Sequence, residues 1–170
     1  MLKTLIKKFK LVKSRNNNNV IFGVSFEKLL AGLDFLTKDE KNNLEKSSVK
    51  IIENCVPSNF SKNSTKNNTG IVIGKIQSGK TLSFTSLIAL ARDNGYKIVV
   101  IVSGRTNLLL KQTKDRLKHD FSNDNKIKIL DTKWSFERKS SFLRKNILKL
   151  EKGKLTIIPI LKHQNSLRLT

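Results

Sequence analysis

Gly74-Lys75-Ile76-Gln77-Ser78-Gly79-Lys80-Thr81 satisfies the pattern G-x-x-x-x-G-K-[ST] in full, and nothing else in the 170 residues narrows the fold as far. Glycines at both ends of the loop let the backbone turn tightly enough for successive N–H groups to converge on one anion. A helix that begins where the loop ends aims its positive dipole end at the same point. The pattern therefore needs a strand before it and a helix after it. Residues 71–73 are a short apolar run, and 81–92 carry a helical pattern that Asn94-Gly95 is placed to stop. In that setting Gly74, Gln77, Ser78 and Gly79 line a nucleotide's phosphates, Lys80 reaches the β- and γ-phosphates, and the Thr81 hydroxyl ligates Mg²⁺. Gln77 also reads as a plain solvent-facing residue, and Lys75 as a surface charge.

Past the loop, apolar runs alternate with amphipathic stretches. Residues 97–102 form a near-continuous apolar strand of the kind buried on both sheet faces. A helix is expected over 107–121, a short strand over 126–130, and a helix over 135–152 with Phe136, Leu143, Ile147 and Leu150 in its stripe. Leu155–Leu161 is the last strand, in which Pro159 argues against a central position. This alternation is that of an α/β fold, a parallel sheet wrapped by helices.

Upstream, residues 1–24 are a basic leader, 25–56 a helical extension and 57–70 a polar linker; 71–170 hold the α/β part. In the extension, Phe26, Leu29, Leu30, Leu33 and Leu36 make one apolar stripe. Thr37 and Glu40 then form a capping-box pattern that opens a second helix, with Leu44, Ser48, Ile51, Ile52 and Cys55 on one face. Cys55 on that face reads as core filler. In the leader, Leu2, Leu5, Ile6, Phe9 and Val12 recur at helical spacing among lysines. That segment reads as a solvated leader, as a basic amphipathic helix, or as a transit peptide, the last opposed by its single Arg15.

Thirty-four Lys and Arg against thirteen Asp and Glu give a formal charge of +21. A surplus of that size suits a polyanion such as nucleic acid. Yet 27 of the basic residues are Lys, and Asn takes 17 further positions, a pairing that an AT-rich genome produces without any function. One cysteine and two histidines, His119 and His163, exclude a disulfide framework and a Cys/His zinc site. No apolar run approaches the ~20 residues of a membrane helix. A membrane is therefore not an expected partner, and the expected location is cytoplasmic.

TGIVIGKIQSGKT, followed by SFTSLIALARDNGYKIVVIVSGRTNLLLKQTKDRL, resembles the first RecA-like domain of DEAD/DEAH-box helicase-like ATPases of superfamily two. The resemblance is closest to a bacterial and phage-type subgroup with a V-x-G-x-x-Q-S-G-K-T loop, often tied to DNA restriction or repair. It covers roughly residues 40–167 and is strongest over 69–117. It implies a P-loop, RecA-like fold, with ATP and Mg²⁺ as cofactors and Lys80 and Thr81 as catalytic residues. It also implies a nucleic-acid contact, DNA favoured, at Ser103, Gly104, Arg105, Thr106 and Asn107, leading into Gln112. By their own pattern those residues are equally an ordinary strand-to-helix turn capped by Thr or Asn.

LTIIPILKH, 155–163, is similar to the strand and turn that precede the family's acidic box. That box and a second RecA-like domain would follow in the family, and Thr170 comes before either. The expectation is thus an incomplete RecA-like domain with an N-terminal helical extension. It would be the ATP-binding segment of a DNA-dependent ATPase or translocase, inactive alone and completed by a C-terminal half or a partner subunit. Asp131 reads as a turn residue rather than a substitute anchor for Mg²⁺. Two other readings stand beside this one: a small P-loop phosphotransferase, and a basic nucleic-acid-binding module with a vestigial loop.

Overall fold

The computed structural model describes residues 10–12, 20–55, 80–130 and 153–162, with the backbone alone for 10–12, 80 and 81. They fall into two compact units, one through Gly95 and one from Tyr96.

In the first unit, β1 (Lys10–Val12) pairs antiparallel with β2 (Val20–Phe22), with Lys10 opposite Phe22 and Val12 opposite Val20. The helical spacing read through Val12 therefore does not hold at 10–12. Val20 and Phe22 are β-branched or aromatic and buried, which suits a strand, and the pairing with β2 overrides the helical pattern at 10–12. Three helices follow: α1 (Val24–Ala31), α2 (Lys38–Ile52) and α3 (Lys80–Asp93). Phe26, Leu29 and Leu33 of the expected stripe are buried, and the Phe22 and Phe26 rings meet edge to face at 5.1 Å. Leu44, Val49 and Ile52 of α2 are buried, as are Ile88, Ala89, Leu90 and Ala91 of α3. Both α1 and α2 pack on α3. Where α2 crosses α3, Ser48 and Ser86 join their buried hydroxyls at 2.7 Å, so two polar groups enter the core already paired.

The ends of these helices follow their local chemistry. The Thr37 hydroxyl accepts from Glu40 N at 3.3 Å while the Glu40 carboxylate accepts from Thr37 N at 2.8 Å, the expected capping box. At the far end of α3, Gly95 takes φ 83°, a left-handed conformation that costs glycine nothing, and its N–H reaches Arg92 O.

The second unit holds β3 (Ile98–Ser103), α4 (Asn107–Asp120), β4 (Ile127–Ile129) and β5 (Leu155–Leu161). The three strands form a parallel sheet in the order β3-β5-β4, and α4 packs on all three. This is an α/β arrangement, and two expectations within it are overturned. β5, with its proline, is the central strand: Leu155 and Ile157 have no exposed surface and Pro159 is fully buried. β3, expected to be covered on both faces, lies at an edge of the sheet among the described residues, with Val100 54% and Val102 48% exposed.

The register explains why the proline is tolerated. Even-numbered residues of β5 bond toward β3, as Thr156 N does to Lys97 O; odd-numbered ones bond toward β4, as Leu155 N does to Lys126 O. Pro159 is odd, and the β4 ladder ends at Ile129 opposite Ile157. Its missing N–H therefore falls beyond the last rung of that ladder.

The linker 57–70, the strand at 71–73, the helix at 135–152, Asp131 and His163 lie outside the described residues. No helix among the described residues is long and apolar enough to cross a membrane.

Candidate nucleotide and nucleic-acid sites

Lys80 and Thr81 are the first two residues of α3, a helix of 14 residues with no acidic side chain in its first turn. Its N-terminal N–H groups therefore meet no carboxylate from that turn, and the positive end of the helix dipole there favours negative charge. Gly74, Gln77, Ser78 and Gly79 lie outside the described residues.

Two consecutive side chains at the other end of α3 hold the β2–α1 corner. The Asp93 carboxylate is 1% exposed. It accepts from the backbone N–H groups of Gly23 at 3.0 Å, Ser25 at 3.2 Å and Phe26 at 2.9 Å. Those donors lie at the N-terminal end of α1, whose N-cap residue, Gly23, offers no side chain of its own. Asp93 thus caps α1 from about 70 residues away in sequence. Arg92 Nη1 lies 3.5 Å from the same carboxylate. Beside it, Asn94 Oδ1 accepts from Ile21 N at 2.9 Å, while its Nδ2 donates to Ile21 O at 3.0 Å and to Leu90 O at 2.8 Å. Sequence reasoning missed this joint, because Asp-Asn-Gly after a helical run carries only the signal of a helix stop.

The five residues expected at a nucleic-acid contact form the turn from β3 into α4, within the second unit. Two of their side chains serve the fold. The Ser103 hydroxyl donates to Ile160 O at 3.1 Å, tying the ends of β3 and β5 together. Thr106 is the N-cap of α4, its hydroxyl accepting from Leu109 N at 3.2 Å. Gly104 O accepts from Lys162 N at 3.2 Å, which brings the residue after β5 beside this turn. Arg105 and Asn107 are exposed. A guanidinium and an amide displayed at the start of a helix, with Lys162 nearby on the backbone, can donate to phosphate oxygens. The capping role read for this turn is therefore filled by Thr106, and the side chains left for a ligand are Arg105 and Asn107.

The other reactive side chains stay in structural roles. Burial pushes the Cys55 thiol up from its ordinary value, and the thiol donates to Ile51 O, so it stays a neutral, half-buried packing group. His119 is exposed, with Nδ1 3.4 Å from Asp120 Oδ1 at the end of α4. Among the described residues no three His, Cys, Asp or Glu side chains gather as a metal site.

No protein-family model, no characterised protein and no solved structure matches this chain.

Proposed function

We propose that the chain is the ATP-binding segment of a helicase-like, DNA-dependent ATPase, built on a P-loop, RecA-like domain. The observation that carries this reading is the complete Gly74–Thr81 motif together with the position of its last two residues as the opening of α3. The parallel β3-β5-β4 sheet, with α4 across it, supports the same fold. In the reading, Gly74 to Gly79 turn their N–H groups onto the phosphates and the α3 dipole adds to that field. Lys80 neutralises charge on the β- and γ-phosphates, and Thr81 places its hydroxyl toward Mg²⁺. Bound ATP and Mg²⁺ would supply the phosphoanhydride and the Lewis acid of phosphoryl transfer. Nucleic acid meets the second unit at the Arg105–Asn107 turn through backbone phosphates.

Isothermal calorimetry on the full chain tests it. Mg·ADP should bind, and Lys80→Ala should raise the dissociation constant about tenfold or more while leaving the helical circular dichroism unchanged. Equal affinities of wild type and variant would remove the reading.

A further inference from the structure

We propose that Asp93 and Asn94 form a latch that makes the β2–α1 corner a positioning element for α3, and hence for the loop at its other end. The first half stands on geometry alone; the second rests on the nucleotide reading above.

Five of the latch's hydrogen bonds join α3's C-terminal end to Ile21, Gly23, Ser25 and Phe26, and a sixth, from Asn94 Nδ2 to Leu90 O, turns the Asn94 side chain back onto the helix. The acceptor is a carboxylate withdrawn from solvent, so each bond to it is charge-assisted and is not exchanged for water. The fit is also steric. A Cβ at Gly23 would lie 2.7 Å from both Asp93 Cγ and Oδ1, so any side chain there displaces the carboxylate from its donors. The residue at the corner and the residue at the helix end are therefore matched to one another.

The joint acts on the whole of α3. Fourteen residues make a helix about 20 Å long, and an isolated helix of that length is marginal in water. Its axis is set by what grips it. Along its length it packs on α1 and α2, with Thr85, Ser86, Ala89 and Leu90 buried. At its C-terminal end it is gripped by the latch. Loosening the latch frees α1 to shift on α3 and lets α3 fray and reorient, and Lys80 and Thr81 move with it. Residues 20–31 are then part of the nucleotide-binding unit and not a removable leader. By linkage, a nucleotide bound at one end of α3 must tighten the corner at the other.

Three full-length chains are compared: wild type, Asp93→Asn and Gly23→Ala. Asp93→Asn keeps the shape and removes the charge, whereas Gly23→Ala attacks the same contact from the opposite side. Hydrogen exchange without nucleotide is the first measurement. Both variants should speed exchange at the amides of 23–26 and also along α3, through residues 84–92. Faster exchange confined to 23–26, with α3 as protected as in wild type, would overturn the proposal. The second measurement is Mg·ADP affinity at a temperature where circular dichroism shows all three chains folded. The variants should bind about fivefold or more weakly, and saturating Mg·ADP should slow exchange at 23–26 in wild type. Variants that exchange faster along α3 yet bind with unchanged affinity would overturn the coupling to the loop. If wild type itself fails to bind Mg·ADP, the nucleotide reading falls with the coupling, and the exchange measurement still decides the latch.

Discussion

Residues 20–55 and 80–95, in the first unit, carry seven basic and seven acidic side chains; residues 96–130 and 153–162, in the second, carry ten and three. A compositional drift toward lysine acts on both alike, so the drift alone does not set the balance. In the first unit, acidic residues have places that the fold uses: Glu40 closes the capping box and Asp93 caps α1. In the second, Asp124 accepts from Lys126 N and Asp120 lies 3.9 Å from Arg116, yet basic residues still outnumber acidic ones ten to three. The same two regions differ in how they shield their apolar residues. The first wraps α3 with α1 and α2, while the second buries β5 and leaves Val100 and Val102 of β3 open.

The largest effects should come from breaking that second contrast. Leu90 on α3 and Ile157 on β5 have no exposed surface. Leu90→Ala and Ile157→Ala should each cost about 2–5 kcal/mol, the transfer term plus the cavity left behind. Val100→Ala, on a residue more than half exposed, should cost about 0.5 kcal/mol or less. Urea unfolding of the three variants measures this. A loss at Val100 as large as that at Ile157 would mean that β3 is as buried in solution as its sequence suggests.

Next comes charge. Arg105, Lys111 and Lys126 are exposed in the second unit, and Lys38, Lys46 and Lys50 are exposed in the first. Reversing either set to Glu changes the net charge equally, so comparing them separates location from composition. On duplex DNA, the log–log slope of affinity against salt should flatten by about 0.9 for each phosphate that the protein no longer neutralises. The second-unit triple should show this strongly and the first-unit triple hardly at all. Lysine outnumbers arginine 27 to 7, and an ammonium is a point charge rather than a fork that reads guanine. Two unrelated DNA sequences should therefore give the same slope. Equal flattening by the two triples would return the charge to composition alone.

What the sequence made legible was local. The capping box at Thr37 and Glu40, the stop at Gly95, the apolar stripes of α1 and α2, and the positions of α3, α4 and β5 all depend on neighbours within a few residues. What it hid was long-range. Asp93 meets donors about 70 residues away, and no spacing rule connects them. The β1–β2 pair was hidden because Lys10–Val12 sit in a helical pattern until Val20 and Phe22 supply a buried partner strand. The order β3-β5-β4 was hidden for a related reason. Five consecutive apolar residues in β3 read as a strand covered on both faces, and a proline argued against a central place for β5. The hydrogen-bond parity around Pro159 removes the second objection, while Val100 and Val102 of β3 are exposed. For the candidate sites, the motif and the turn were readable, but which hydroxyls of the turn were already committed to the fold was not.

The smallest expected effects lie in the first unit, where carboxylates serve as caps. Thr37→Ala removes the acceptor for Glu40 N and should cost about 1 kcal/mol. Glu40 supplies a finer test. Its carboxyl is held below its ordinary 4.5, first by the backbone N–H of Thr37 and then by the Thr37 hydroxyl, with a small opposing contribution from desolvation. A carboxylate depressed in the folded state stabilises fully above its unfolded value, and that stabilisation is lost as the pH falls through the folded one. Glu40→Gln keeps an acceptor and removes the titration. The gap in stability between wild type and Glu40→Gln should therefore be constant near neutral pH and close as the pH drops below about 4.5. Urea midpoints measured from pH 7 to pH 3 decide it. A gap that persists unchanged at pH 3 would mean that the box holds by shape alone, and that charge balance in the first unit has no part in capping α2.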